Sequence, residues 1–369
     1  MLLVAALLSA VAGSFEVLAD RIEARWIAAF EEVFRRCQAT PGLPVALLAE
    51  SQSRALNLDL AELALLQLGC RPYRLVLPTP PQTAPVPVRS TGASRALAGH
   101  PGVLAALQAT PFVVDLTVEG LLHAPELPQL LKAGCRILMI SNEHPEALER
   151  LRPDDAMEPR VKAAVKLARA AREMRVTSAA GTDLVVRMER AVTAGVWGWT
   201  DRPGTIAHWP GGVVVSFPAA HSVNGRLVLD AGDVNLTFKR YLERPVVLTL
   251  ADDHITRIEG EGTDAELMRR YLAAWAPPGG DRAAYAVSHV GWGMNHAARY
   301  EALAMYDQRD TNGTELRAFA GNFLFSTGAN EFAGRYTEGH FDIPVRGCTI
   351  TLDGPDGPLT VVEAGELKV

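Results

Sequence analysis

Residues 338–350, EGHFDIPVRGCTI, set His340 and Asp342 two positions apart with an apolar residue between them. Phe341, Ile343 and Val345 alternate with His340, Asp342 and Pro344, and period-two alternation predicts a strand with one buried face. On a strand, side chains at i and i+2 point the same way, roughly 6 to 7 Å apart; on a helix they diverge. The segment is therefore expected to present an imidazole and a carboxylate side by side, on the face opposite the packed one. Such a pair suits a metal ion or acid–base chemistry and calls for a third member. His289 is the candidate: in AYAVSHVGWGMN (284–295) it closes an apolar run just before Gly291 and Gly293, where glycine permits close backbone approach. Trp292, between the glycines, is placed to wall a planar ligand. Two imidazoles and one carboxylate form the facial triad of non-haem Fe(II) oxygenases, which leaves positions open for substrate and dioxygen. The same ligand types also serve zinc hydrolases, so ligand chemistry leaves both classes open.

The elements that must position these groups fall into two runs. From about 40 to 175, strand-like segments (LPVALLAE, PYRLVLP, PFVVDLTV, CRILMIS) alternate with helical ones. Among the helices are SRALNLDLAELALLQLG, closed by Gly69 as a C-cap, SRALAGHPGVLAALQA, interrupted by Pro101, and RVKAAVKLARAAREM. This alternation predicts an α/β layer with a mostly parallel sheet. Beyond about 175, runs such as GGVVVSFPAA, GRLVLDAGDVNLTF and RPVVLTLADDHITRIEG are strand-like, with Gly, Asp and Asn between them. The expectation is an α/β domain over 1–175 and a β-rich (α+β) metal-binding domain over 176–369. Neither GxGxxG nor GxxxxGK[ST] occurs, so no nucleotide site is indicated.

Composition narrows the class. The 369 residues are 48% hydrophobic and 21% charged, with a net charge of −6; a sizeable core is expected, and a nucleic-acid surface, which needs a basic patch, is not. The four cysteines are widely spaced with no CxxC pair, which fits a reducing compartment. The start, MLLVAALLSAVAGSF, is apolar but has no Lys or Arg before the apolar run, unlike a secretory signal, and is too short to span a membrane. Phe15, Leu18, Ile22, Trp26, Phe30 and Val33 continue it at helical spacing. One helical region over 1–37, a cytoplasmic location and assembly into a homo-oligomer are expected.

Long motifs in the second run carry a resemblance: HWPGG (208–212), NGRLVLDAGDVNLTFKRY (224–241), SHVGWGMN (288–295), RAFAGNFLFSTGAN (317–330) and HFDIPVRGC (340–348). Upstream, GLLHAPE (120–126) and RILMISNEHPE (136–146) look similar too. The chain resembles the 2,5-dihydroxypyridine 5,6-dioxygenase family, which is related in fold to M29-type metallo-aminopeptidases. The resemblance implies ring cleavage of a dihydroxylated pyridine by O₂ to N-formylmaleamate, with Fe(II) as the cofactor. The family's two His and one Asp map onto His289, His340 and Asp342, and a substrate-side His maps onto His123, which would act as general base. His208, on a tight turn, is a further substrate-contact candidate; His221, Tyr300, Glu301 and Glu331 are unranked. In TDRPG (200–204) the family more often has an acidic residue where this chain has Arg202; facing the substrate, Arg would favour an anionic ring. Two rival readings remain. One is an aminopeptidase with two metals, drawing on Glu301, Glu315, Glu331 or Glu338. The other is a binding protein whose histidines are structural.

Overall fold

The first sheet follows from the near-continuous apolar runs of its central strands, which are buried on both faces as parallel strands are. The computed structural model describes residues 21–81, 94–140, 142–276 and 279–369. The segment before Arg21 and most of the Pro-rich stretch lie outside the described residues. In the first half the chain runs α1 (Ala24–Arg36), β1 (Pro44–Glu50), α2 (Ala55–Gln67), β2 (Arg71–Leu77), α3 (Pro101–Gln108) and β3 (Phe112–Leu116). It continues with α4 (Leu127–Lys132), β4 (Arg136–Met139), α5 (Pro145–Arg150) and α6 (Met157–Ala170). Trp26, Phe30, Val33 and Phe34 give α1 one buried face, each large side chain contributing about 1.5–3 kcal/mol relative to exposure. Ile22, expected on the same stripe, precedes the helix and is exposed. Gly69 follows α2 with φ +74°, the left-handed C-cap its position predicts. Pro101 begins α3 rather than interrupting a longer helix: at the first helical position its missing N–H costs nothing.

The second half is strand-rich. It holds β5 (Glu173–Ser178), β6 (Asp183–Arg187), β7 (Val192–Val196), β8 (Ile206–His208), β9 (Val213–Phe217) and β10 (Val223–Leu229). Then come the short pair β11 (Val234–Asn235) and β12 (Arg240–Tyr241), followed by β13 (Val246–Ala251), β14 (His254–Glu259), α7 (Thr263–Trp275) and β15 (Val287–Gly293). The chain closes with α8 (Ala302–Met305), α9 (Thr314–Ala318), β16 (Phe323–Thr327), β17 (Phe341–Val345), β18 (Cys348–Gly354), β19 (Gly357–Glu363) and β20 (Glu366–Leu367).

Three large sheets result. The first is parallel, in the order β2-β1-β3-β4-β8. An antiparallel sheet runs β14-β13-β10-β6-β5-β18-β19-β20, and another runs β17-β16-β15-β9-β7. The parallel-then-antiparallel order expected from the sequence is what the fold shows. The division expected near residue 175 falls inside β5, just after α6, and β8 returns to the first sheet beside β4. One continuous core, from Trp26 to Val362, also spans both halves. The strand order of the parallel sheet reverses between β1 and β3, which opens a crevice at their C-terminal ends. There the buried Asp115 accepts hydrogen bonds from the Thr117 N–H and hydroxyl and from the Leu121 N–H, shaping the loop that leads to His123. Burial pushes its carboxyl up to about 6 against those donors.

Candidate metal centre

His340 and Asp342 stand on one face at the start of β17, and His340 Nε2 is 3.2 Å from Asp342 Oδ1. Phe341, Ile343 and Val345 enter the main core on the other face. The sequence suggested an open face for the polar pair; instead His340 and Asp342 are 3% and 2% exposed, because the loop carrying His123 closes over them. β16 runs beside β17 with Ser326 directly opposite Asp342, so the Ser326 hydroxyl donates to Asp342 Oδ1.

His289 reaches the same face through a register break. Val287 pairs with Thr327 but Val290 with Phe325, so Ser288 and His289 together oppose the single residue Ser326. A bulge of this kind re-aims a side chain. His289 Nε2 lies 2.9 Å from Ser326 Oγ and 3.6 Å from Asp342 Oδ1. On its other side, the Ser288 hydroxyl gives its proton to the Ala329 carbonyl and is left to accept from His289 Nδ1, 3.2 Å away. Nδ1 thus donates to Ser288, and Nε2 is the ring nitrogen directed at Ser326 Oγ and Asp342 Oδ1. Gly291 and Gly293 are required by close approach: a Cβ would sit 1.9 Å from the Val214 carbonyl oxygen and 2.1 Å from that of Phe319.

His123 arrives from the other half of the chain, and one nitrogen each of His123, His289 and His340 lies within 4.8 Å of the others. His123 and His340 have ring centroids 4.6 Å apart. Burial lowers the pKa of His123 well below the usual imidazole range, helped by the neighbouring His340 and His289; burial likewise brings His289 down to about 3. These imidazoles are therefore neutral, the form that binds a cation. Burial alone would raise Asp342, but the Arg317 guanidinium, then His340, overcome it and hold the carboxyl well below its ordinary range. Arg317 Nε donates to Asp342 Oδ2 at 2.5 Å. Two buried ring nitrogens, His123 Nε2 and His340 Nδ1, have no hydrogen-bond partner among the described residues. Orphaned polar atoms are costly, about 1–3 kcal/mol each, and imidazole nitrogens beside an ionised carboxylate are the donor set a divalent cation takes up. The residues present fit a metal ion.

These groups line a cavity of about 170 Å³ with apolar walls from Leu122, Phe217 and Leu324. A void of about 150 Å³ holds one benzene ring, so the cavity suits a single small ring. His208 also lines it. Its Nδ1–H donates to the Pro210 carbonyl, 2.7 Å away, which leaves Nε2 as an acceptor, and burial lowers its pKa to about 4.

Two expected substrate contacts lie elsewhere. Trp292 shares a strand face with Val290 and is wholly buried in the main core, since a residue three places from His289 turns away from it. Arg202 has a 69% exposed side chain and lines a separate groove. His221 is on the surface against Asp252, and the Tyr300 hydroxyl donates to the Gly232 carbonyl, away from the cavity. Conversely, Arg317 and Ser326 were quoted within RAFAGNFLFSTGAN without a role; nothing local in that segment announces that strand register brings both onto Asp342. Of the glutamates a second metal would need, Glu315 is paired with Arg150 and Glu338 with Arg95. Among the described residues no second cluster of metal-binding side chains accompanies the first.

Arg317 is carried by α9, whose start is tied to the other half of the chain. Glu143, 2% exposed, accepts the Thr314 N–H at 2.9 Å. Burial pushes its carboxyl from 4.5 up to about 7, against the Thr314 N–H, with Glu315 adding to the rise. The folded chain thus holds a proton that the unfolded chain has lost between those values, and stability falls as pH rises across that window. Glu143→Gln keeps an oxygen for Thr314 and loses no proton. Its stability relative to the parent is expected to improve by about 2–3 kcal/mol between pH 4 and pH 8. Urea unfolding across that range measures it; a difference that stays constant with pH would show Glu143 to be ionised throughout.

Comparison with known proteins adds three findings. The family described as NicX, 2,5-dihydroxypyridine 5,6-dioxygenase, matches residues 25–369. A 2,5-dihydroxypyridine 5,6-dioxygenase of Pseudomonas putida KT2440 is 36% identical over 342 residues, covering 92% of this chain and 94% of that protein. The solved structure of 2,5-dihydroxypyridine dioxygenase from the same organism superposes with a TM-score of 0.86 at 34% identity, covering 95% of this chain and 99% of that one. AmpT from Thermus thermophilus shares the fold alone, with a TM-score of 0.61 at 16% identity over 94% of this chain and 99% of that one.

Proposed function

This chain belongs to the 2,5-dihydroxypyridine 5,6-dioxygenase family, and on that premise we propose that it cleaves the ring of 2,5-dihydroxypyridine or a close relative with O₂, using Fe(II) held by His289, His340 and Asp342. The observation that carries this is the convergence of those three side chains, from the two strands β15 and β17 that flank β16 in one sheet, with His123 on a ring-sized cavity. The bond between ring carbons 5 and 6 breaks, carbon 5 becomes a carboxylate, carbon 6 becomes a formyl group on nitrogen, and both oxygen atoms enter the product. Ferrous iron, when bound, supplies the electron transfer that lets triplet dioxygen react with a closed-shell, electron-rich ring.

The chain's own groups bind and orient. His123 Nε2, neutral and without a partner among the described residues, takes the proton of a ring hydroxyl. Arg317 fixes the orientation of Asp342, as supporting hydrogen bonds to ligating carboxylates do, and as a cavity-lining cation it binds an oxygen substituent of the ring. His208 Nε2 accepts a hydrogen bond from the ring, and Leu122, Phe217 and Leu324 exclude water. No helix among the described residues is long and apolar enough to cross a membrane. The four cysteines are buried and unpaired, which fits the cytoplasmic location proposed here.

Anaerobic loading with Fe(II), followed by O₂ uptake with 2,5-dihydroxypyridine, tests the reaction: one O₂ consumed per ring, with loss of the aromatic absorbance. Absence of uptake by the iron-loaded protein would refute this substrate, and two bound zinc ions would move the assignment to the peptidase fold relatives. His123→Ala separates base from ligand. Turnover is expected to fall about 10²- to 10⁴-fold with one iron still bound per chain. Loss of the iron would instead make His123 a ligand alongside His289 and His340.

A further inference from the structure

A groove of about 620 Å³ abuts the cavity and shares Ala194, Gly195 and Ile206 with it. It is lined by Lys162, Lys166 and Arg169 from one face of α6, by Arg202, and by Trp197 and Trp199; Asp201 is the single carboxylate among its lining residues. Four cations against one anion is a local excess of positive charge on a chain whose net charge is −6. The helix that carries three of them is seated directly on β7, because a Cβ at Gly195 would sit 2.5 Å from Val161 Cγ1. Some of the charge is spoken for: Lys162 pairs with Glu158 at 2.5 Å, and Arg169 donates to the Thr193 carbonyl at 2.7 Å. Lys166 has no ion-pair or hydrogen-bond partner among the described residues, and Arg202 has only Asp201, at 3.9 Å. The indole N–H of Trp197 has no acceptor among the described residues.

We propose that this groove is a second binding site, beside the reaction cavity, for a small planar conjugated carboxylate of the class that ring cleavage produces. The identity of the anion rests on the reaction proposed above. Opening the ring at a hydroxylated carbon turns that carbon into a carboxylate, so an uncharged ring enters and an anion must leave. A basic groove lined by tryptophan, against the cavity wall, draws the product away from the buried Asp342, and its field acts over about a Debye length. The cation at Arg202 thus serves the product side, and need not select an anionic substrate.

The test uses the full-length, metal-free protein titrated with maleamate and with its neutral diamide, maleamide, followed by calorimetry and tryptophan fluorescence at low and high salt. Maleamate is expected to bind about ten-fold more tightly than maleamide, and K166E to weaken maleamate about three- to ten-fold, with high salt erasing both differences. K166Q, which removes the charge without reversing it, should fall between. Equal affinities for the two ligands, or maleamate binding to K166E and K166Q as to the parent, would overturn the groove and leave the anion in the cavity. Turnover of 2,5-dihydroxypyridine by the iron-loaded parent is measured separately. Its absence would refute the reaction whatever the groove binds, and turnover without binding in the groove would refute the groove alone.

Discussion

His340→Ala is expected to give a folded protein that holds no metal after dialysis and turns over no substrate. The ring lies 3.2 Å from Asp342 Oδ1 and within 4.8 Å of two other imidazoles, so it is central to any set of ligands this cluster can form. Loss of a mere hydrogen-bonding support of a metal ligand costs about 10–100-fold in metal affinity; loss of a ligand should exceed that. The fold should survive, because the contact His340 makes with α7 runs through its backbone: the Tyr271 hydroxyl donates to the His340 carbonyl, which alanine keeps. The ring nitrogen Nδ1 has no partner among the described residues to lose. Metal analysis after dialysis, with circular dichroism as the control for folding, decides it. A variant that retained one metal per chain would remove His340 from the centre.

Arg317→Leu should produce the largest stability effect, and one that depends on metal. Asp342 is 2% exposed, and its Oδ2 is held by the Arg317 guanidinium at 2.5 Å. Removing one partner of a buried ion pair leaves an uncompensated charge, which costs about 3–5 kcal/mol. The metal-free variant is therefore expected to lose that much in urea unfolding. A divalent cation would replace the missing positive charge, so the loss should shrink on metal loading. A metal-free variant within about 1 kcal/mol of the parent would mean that Asp342 is stabilised by other groups.

Much of this was legible in the sequence where the determinants are local. The alternation of HFDIPV places His340 and Asp342 on one face, and the stripe of Trp26, Phe30 and Val33 marks the first helix. Gly69 announces its turn. What could not be read depends on which strand meets which. The bulge at Ser288 and His289 leaves no trace in periodicity, because it is a property of the pairing with β16. Ser326 becomes a partner of Asp342 only through that pairing's neighbour, and Arg317 through a five-residue helix fixed from Glu143. Trp292 was misplaced by adjacency in sequence, since the strand turns it into the core with Val290. Arg202 was misplaced because a loop residue has no periodicity to aim it.

The return of β8 to the first sheet bears on how such a chain can be recombined. A crossover between α6 and β5, at residues 171–172, looks natural because it cuts no helix or strand. Yet it would take β4 and β8, paired at Ile137, Leu138 and Met139, from different parents and leave the sheet's last strand to be matched across the junction. His208, at the end of that strand, would leave with it. Chimaeras that exchange the first half with a relative should therefore carry the chain through residue 208 as one block. In inheritance as in engineering, the transferable unit here is the completed sheet, and its boundary lies inside what the sequence presents as the second module.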